Sequence, residues 1–206
     1  AEAGRIRPNA PEVPGALARA AELERQQQVV GHQQRGQEFE RAERWKEALA
    51  EYEAALQVDG SLAYALEGRA RVKPRLALHQ QFEALNTSPD RLLTAAVRAQ
   101  ADAMLVEARK IANPGPVLTA QIATLSANLA RAKVPVTVVL RSDGQTQVAL
   151  NRATAIGAFT ERRLELQPGK YVFIGTRQGY RDVRKELTVF PGKAPEPLTI
   201  QCEEPI

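Results

Sequence analysis

The sequence predicts a two-part α+β chain, with stacked helical hairpins in the N-terminal part and a small antiparallel β-sandwich in the C-terminal part. From Ala16 onward, helix-forming residues dominate and apolar residues recur at steps of three and four. After Lys133 the apolar period changes to two, which is typical of half-buried strands. Between Leu164 and Gly192, proline-glycine and glycine-tyrosine pairs separate β-branched and aromatic runs, which indicates strands and turns.

The composition is that of an ordinary globular protein. Of the 206 residues, 44% are hydrophobic and only 5% aromatic, so the cores depend on Leu, Ala and Val. The net charge is +4, without a strongly basic region, so we expect no nucleic-acid partner. Cys202 is the single cysteine, which excludes an internal disulfide. Its spacing from Leu198 and Ile200 favours a buried apolar position over a reactive thiol.

Residues 1–15 are rich in proline and lack an apolar period, so we expect either a flexible tether or a disordered tail. The chain contains no apolar run of about 18 residues that would span a membrane, and no secretory signal pattern. It begins with Ala1, and its only methionine is Met104. We therefore expect either a processed or a shortened chain, in which a signal or membrane anchor would lie upstream of Ala1.

Residues 16–133 are expected to form about three helical hairpins. In the first hairpin, small residues allow two helices to approach and aromatic residues fill the space between them. These positions are Gly36, Phe39, Trp45, Ala48, Tyr52 and Ala55. Their spacing resembles that of a tetratricopeptide repeat, an antiparallel helix pair of about 34 residues. The resemblance implies a repeat over residues 29–62 and a short helical solenoid.

The later helices have their own start and stop signals. Asp59-Gly60 is expected to end the second helix, with Gly60 in a left-handed conformation, and Ser61 to cap the next one. That next helix resembles a degenerate second repeat, with Gly68 or Ala70 as a packing position, and Pro74 is expected to interrupt it. Ser88-Pro89-Asp90 predicts a further helix start. The last helix is expected over about residues 117–132.

Residues 134–206 are expected to contain about six strands. Asp143-Gly144 predicts a tight hairpin turn. Pro168-Gly169 predicts a turn in which Gly169 adopts a positive φ. Residues 171–174 predict a central strand buried on both faces, because all four are β-branched or aromatic.

The order of the segments LQPGKYVF, QGYRDVRKELTV and FPG resembles the second half of a PEGA domain. This is a small β-sandwich of bacterial envelope proteins and receptor-kinase ectodomains. The resemblance covers about residues 134–202. It implies structural roles for Pro168, Gly169, Gly179 and Tyr180.

The sequence contains no recognisable catalytic or metal-binding motif. His32 and His79 have no histidine or cysteine at ligand spacing, and neither a phosphate-binding glycine loop nor a nucleophile elbow is present. The carboxylates of residues 38–53 alternate with Arg and Lys, as on a solvated helix face. We therefore expect no enzymatic activity, no cofactor and no metal.

Two surfaces are candidates for binding. The tetratricopeptide resemblance implies that the first helix lines a groove, at Gln33, Gln37, Glu40 and Arg41. These side chains either hold an extended peptide or form an ordinary polar helix face. In the β region, basic residues surround Gly179-Tyr180, namely Arg177, Arg181, Arg184 and Lys185. They either contact an anionic polymer such as cell-wall glycan or protect a sheet edge.

Together the two resemblances imply a non-enzymatic scaffold or adaptor of the bacterial envelope. Its helical repeats would bind a protein partner, and its β domain would be a spacer or a second contact. We expect a periplasmic or extracytoplasmic location, as the soluble part of an inner-membrane-anchored protein. The alternative is the sensor or regulatory region of a membrane-anchored signalling protein such as a receptor kinase.

The junction at Lys133-Val134 leaves almost no linker between the helical part and the β part. We therefore expect restricted motion between these two parts.

Overall fold

A computed structural model describes residues 13–151 and 153–206, with helices in the N-terminal part and antiparallel sheets in the C-terminal part. The described helices are α1 (Val13–Arg41), α2 (Trp45–Val58), α3 (Ala63–Thr87), a 3₁₀ helix (Pro89–Leu93), α4 (Ala95–Ala108) and α5 (Pro116–Lys133). The described strands are β1 (Val136–Arg141), β2 (Gln147–Leu150), β3 (Thr154–Gly157), β4 (Glu161–Leu166), β5 (Gly169–Thr176), β6 (Val183–Val189) and β7 (Leu198–Thr199). The predicted α+β class is confirmed. No helix in the described ranges is both long and apolar enough to cross a membrane.

The chain divides into two compact units, of which the first ends at Gln81 and the second runs from Phe82 to Ile206. Helices α4 and α5 therefore belong to the same unit as the strands. The expectation of a tether concerns residues 1–15, of which residues 1–12 lie outside the described part. Residues 13–15 already belong to α1.

The core of the first unit lies where α1, α2 and α3 meet. Its fully buried members are Ala48, Tyr52, Ala55, Ala65 and Val72. Phe39 and Trp45 are partly buried against this cluster. The turn between α1 and α2 contains Glu43, which is buried and has a positive φ of 54°.

Three local predictions for the helices are wrong. Gly60 is not among the residues with positive φ, because α2 ends at the extended Asp59. Ser61 does not cap α3; its backbone N–H and hydroxyl donate instead to the carboxylate of Asp59. Pro74 lies inside α3 without ending it. This proline is exposed, and the loss of one helical hydrogen bond is tolerated within a helix of 25 residues.

The start signal at Ser88-Pro89-Asp90 leads into a 3₁₀ helix, with Pro89 as its first residue. The α-helix begins only at Ala95, after the extended residue Thr94. Proline favours the first turn of a helix. The Ser88-Pro89-Asp90 pattern therefore predicted where a helical turn begins, but not that this turn is a 3₁₀ helix.

The strands form two sheets, in the orders β4-β1-β7 and β3-β2-β5-β6. All pairings are antiparallel except that of β1 with β7. The hairpin predicted at Asp143-Gly144 is therefore wrong, because β1 and β2 belong to different sheets. The turn itself exists: Gly144 has a φ of 74°, and the Asp143 carboxylate accepts hydrogen bonds from the backbone N–H groups of Gln145 and Thr146.

One hydrophobic cluster draws residues from both sheets. Its buried members are Val136, Val138, Leu140, Val148, Phe173, Val189 and Ile200.

Strand β5 is central in its sheet, but Val172 and Ile174 on its outer face are only half-buried. The prediction that this strand is buried on both faces is therefore wrong. Cys202 is buried, as predicted, and its N–H donates to the Thr146 hydroxyl at 3.1 Å.

Gly169 does not adopt a positive φ. It begins β5, and a Cβ atom at this position would lie 3.3 Å from the carbonyl oxygen of Leu93 in the 3₁₀ helix. The glycine therefore permits a close approach of two backbone segments, not a left-handed turn.

Candidate partner-binding surfaces

Tyr52 of α2 lies between two helical glycines. A Cβ atom added to Gly36 of α1 would come within 2.9 Å of the Tyr52 ring, and one added to Gly68 of α3 within 2.6 Å. The tyrosine is 1% exposed. The two glycines therefore set how closely α1 and α3 approach α2 at this point. Of the two packing positions weighed for α3, Gly68 is buried and Ala70 is exposed.

The hydroxyl of Tyr52 connects the core to the row of polar residues on α1. It donates to Oε1 of Glu40 at 2.5 Å, and Nη2 of Arg71 on α3 donates to the same oxygen at 3.1 Å. Burial and the hydrogen bond to the Glu40 carboxylate raise the pKa of Tyr52 to about 12. Glu40 is thus held in place by residues of two other helices.

The other three positions of the row lie on the same helix with fewer constraints. Gln37 and Arg41 are exposed and Gln33 is half-buried. Together with Arg71, whose side chain is 56% exposed, they offer amide and guanidinium groups around a fixed carboxylate. Amides donate and accept hydrogen bonds, and guanidinium groups bind carboxylates in pairs of hydrogen bonds. This arrangement is suited to an extended peptide chain.

Arg71 was not among the predicted binding residues. It follows Glu40 by 31 positions, which is close to the length of one repeat. Applying the repeat offset to α3 as well as α1 would have pointed to this neighbourhood.

A second polar network joins α1 to α2. Nδ1 of His32 lies 2.7 Å from Oε2 of Glu51, and Nε of Arg35 donates to the same oxygen at 3.0 Å. Burial raises the pKa of the Glu51 carboxyl, but the hydrogen bonds from Arg35 and His32 outweigh it, so the net pKa is lowered. This network holds the two helices together and leaves His32 in a structural position.

In the β region, three of the four predicted basic residues are paired with carboxylates. Nη1 of Arg177 lies 3.2 Å from Asp143, and its guanidinium lies 4.1 Å from the centre of the Tyr180 ring. Arg181 pairs with Glu204 at 3.3 Å, and Arg184 with Glu186 at 2.7 Å. The residues around Gly179, which has a φ of 78°, therefore do not form an uncompensated positive patch.

Lys185 and Arg181 line a polar cavity of about 370 Å³ beside β6, together with Asp182, Glu203 and Glu204. Lys185 lies opposite the buried Phe173 in the register of β5 and β6, so it belongs to the core-facing side of an edge strand. A charge in that position opposes the addition of a further strand. Of the basic residues considered for edge protection, Lys185 has this placement.

Within the described residues, no group of three or more His, Cys, Asp and Glu side chains is arranged to hold a metal ion. Comparison with protein-family models gave no match, and no curated protein matches the chain.

Proposed function

We propose that this chain is a non-enzymatic scaffold or adaptor of the bacterial cell envelope. It binds an extended segment of a partner protein along the polar row of α1, formed by Gln33, Gln37, Glu40 and Arg41. The observation that carries the proposal is the fixed Glu40 carboxylate, held by Tyr52 and Arg71, beside exposed side chains that remain able to bind.

In this proposal, residues 29–62 form one tetratricopeptide-like repeat and α3 begins the next. The support is the packing of Tyr52 between Gly36 and Gly68, which brings three successive helices together in the way that a repeat stack requires. The row on α1 and Arg71 on α3 then face the same partner segment. That segment carries a carboxylate to pair with Arg41 and exposes backbone groups to the two glutamines.

The proposed role of the C-terminal region is that of a PEGA-like β-sandwich spacer. Its two sheets share one hydrophobic core, which supports a sandwich. Because Arg177, Arg181 and Arg184 are paired with carboxylates, a spacer role is better supported than a contact with cell-wall glycan. The chain is proposed to act outside the cytoplasm, as part of a membrane-anchored protein.

Affinity capture from envelope extracts tests the proposal with paired variants of one helix. The Gln37→Ala/Arg41→Ala variant removes two members of the row. The Arg25→Ala/Gln28→Ala variant removes the same two residue types from the opposite side of α1, which follows from about 100° of rotation per residue. We expect the first variant to lose a discrete partner that the wild type and the second variant retain. Equal recovery by both variants would contradict the proposal.

A further inference from the structure

Within the part of the chain that the structure describes, no other segment covers the N-terminal half of α1. Every residue from Pro14 to Gln28 is exposed except Glu22, which is half-buried. Cover begins at Val29, whose carbonyl accepts a hydrogen bond from the Tyr64 hydroxyl. An unsupported helix of about 15 residues is marginally stable in water, so this segment gains from a partner that covers one side of it.

One face of α1 between Ala16 and Gln34 carries no charged residue. Its members follow one another at alternating steps of four and three, namely Ala16, Ala20, Leu23, Gln27, Val30 and Gln34. Leu23 is 59% and Val30 50% exposed. The face lies opposite the side of α1 on which Gly36 meets α2. Alternating four- and three-residue steps are the spacing of a two-helix coiled coil.

A shallow groove on this face has the shape that such a coil uses. It is lined by Leu23, Gln26, Gln27, Val30, Gly31 and Gln34. In a coiled coil each side chain of the stripe inserts between four residues of the facing helix. The six lining residues make two successive sets of four, 23-26-27-30 and 27-30-31-34. In a parallel, in-register pair, the first receives Gln27 of a second copy and the second receives its Val30.

The flanking charges favour the same arrangement. Arg19 and Glu24 border the stripe on opposite sides and are five residues apart. In a parallel in-register pair this spacing places Arg19 of each copy beside Glu24 of the other. Glu22 and Arg25 pair with each other within the helix, away from the stripe. Gln27 and Gln34 meet their own copies, and an amide satisfies an identical amide because it both donates and accepts.

We propose that the exposed stripe of α1 binds the same stripe of a second copy of this chain as a short, parallel, in-register coiled coil. The pair extends over about five turns and includes alanines and glutamines, so its affinity is modest and its register well defined. This association does not depend on the partner proposed above and is tested with the purified chain alone.

Sedimentation velocity across a range from about 1 to 500 µM tests the association. We expect a concentration-dependent monomer–dimer equilibrium, which Arg19→Glu alone and Glu24→Arg alone each weaken about tenfold. The double exchange Arg19→Glu/Glu24→Arg restores the affinity, because each pair regains opposite charges. Leu23→Glu abolishes the dimer, and Gln28→Glu on the other side of the helix leaves it unchanged. A monomer at every concentration, or a double exchange without restoration, overturns the proposal.

Disulfide formation tests the direction of the pair. In a Cys202→Ala background, Ala20→Cys and Gln34→Cys each cross-link to their own copy on mild oxidation if the helices are parallel and in register. An antiparallel pair joins at most one of these positions to itself. Gln28→Cys serves as the control and should remain uncross-linked. A dimer in which only one of the two stripe positions cross-links overturns the parallel arrangement.

Discussion

At the scale of single residues, Tyr52 shows how side-chain size organises the helical unit. The ring fills the space that Gly36 and Gly68 leave open, and its hydroxyl continues into the Glu40–Arg71 pair. The spacing of small and aromatic residues indicated the first of these contacts. The hydrogen bonds join residues 12 and 31 positions apart on three helices, which no local pattern specifies.

Gly68→Ala should destabilise the protein. Alanine normally stabilises a helix by up to about 1 kcal/mol relative to glycine, but here its Cβ would lie 2.6 Å from the buried Tyr52 ring. We expect a net loss of about 1–3 kcal/mol in the free energy of unfolding, measured by urea denaturation with circular dichroism. Gly31→Ala is the matched control, because its Cβ meets only the guanidinium of the exposed Arg35 and should be neutral or stabilising. Equal effects of the two substitutions would refute this view of the packing.

Asp143 should make stability depend on pH in the acid range. Hydrogen bonds from the backbone N–H groups of Thr146 and Gln145 lower its pKa from 3.8 to about 2. A carboxyl with a lowered pKa stabilises the folded state above its unfolded pKa, and this contribution disappears as the pH falls through the folded value.

Asp143→Asn keeps an acceptor for the turn but removes the charge. We expect the variant to be less stable than the wild type by about 1 kcal/mol at pH 7, and the difference to vanish as the pH approaches 2. Urea denaturation at a series of pH values measures it. A difference that stays constant between pH 6 and pH 2 would show that the charge of Asp143 is not the cause.

At the scale of elements, Arg98 joins α4 to the β region within the second unit. Its Nη1 donates to the carbonyl oxygens of Leu92, Leu93 and Pro168 at 2.8, 3.1 and 3.0 Å. One guanidinium thus fixes the end of the 3₁₀ helix and the turn before β5. Lys133 of α5 adds an ion pair with Asp102 of α4 at 2.7 Å. The hydrogen bonds of Arg98 restrict motion between α4 and the turn before β5.

Arg98→Lys should loosen this connection, because an ammonium group cannot reproduce the planar fork of a guanidinium. We expect hydrogen exchange of the backbone amides of residues 169–172 to become at least about tenfold faster, which corresponds to a local loss of about 1.4 kcal/mol. Arg109→Lys is the control, since Arg109 is exposed and donates to the Ser126 hydroxyl within the helical pair. Unchanged exchange at residues 169–172 in Arg98→Lys would contradict the role assigned to this side chain.

Some features of the helices and strands could be predicted from the sequence, and others could not. The change of the apolar period at Lys133 correctly predicted where the helices end and the strands begin. The spacing of buried side chains follows directly from the geometry of a helix or a strand. Asp143-Gly144 indicated a turn but not that the next strand joins the other sheet, since strand pairing depends on distant residues such as those of β4. Pro74 failed as a helix stop because its exposed position lets the helix continue.

At the scale of the whole molecule, α1 carries two surfaces of different chemistry. The N-terminal stripe is uncharged, and we propose it as the contact with a second copy of the chain. The polar row further along is fixed at Glu40, and we propose it as the contact with a different protein. The positions of this row followed from the repeat offset applied to α1. Arg71 comes from α3, and its hydrogen bond to Glu40 became visible only in the packing of the two helices.

Photo-crosslinking in the living cell tests the central claim most directly. A photoreactive amino acid replaces Gln37 in the polar row or, as the control, Gln28 on the opposite side of α1. We expect one discrete adduct with another protein from position 37, which Arg41→Glu reduces, and no such adduct from position 28. The same adducts from both positions, or none from position 37, would contradict the claim that the polar row of α1 binds a protein partner.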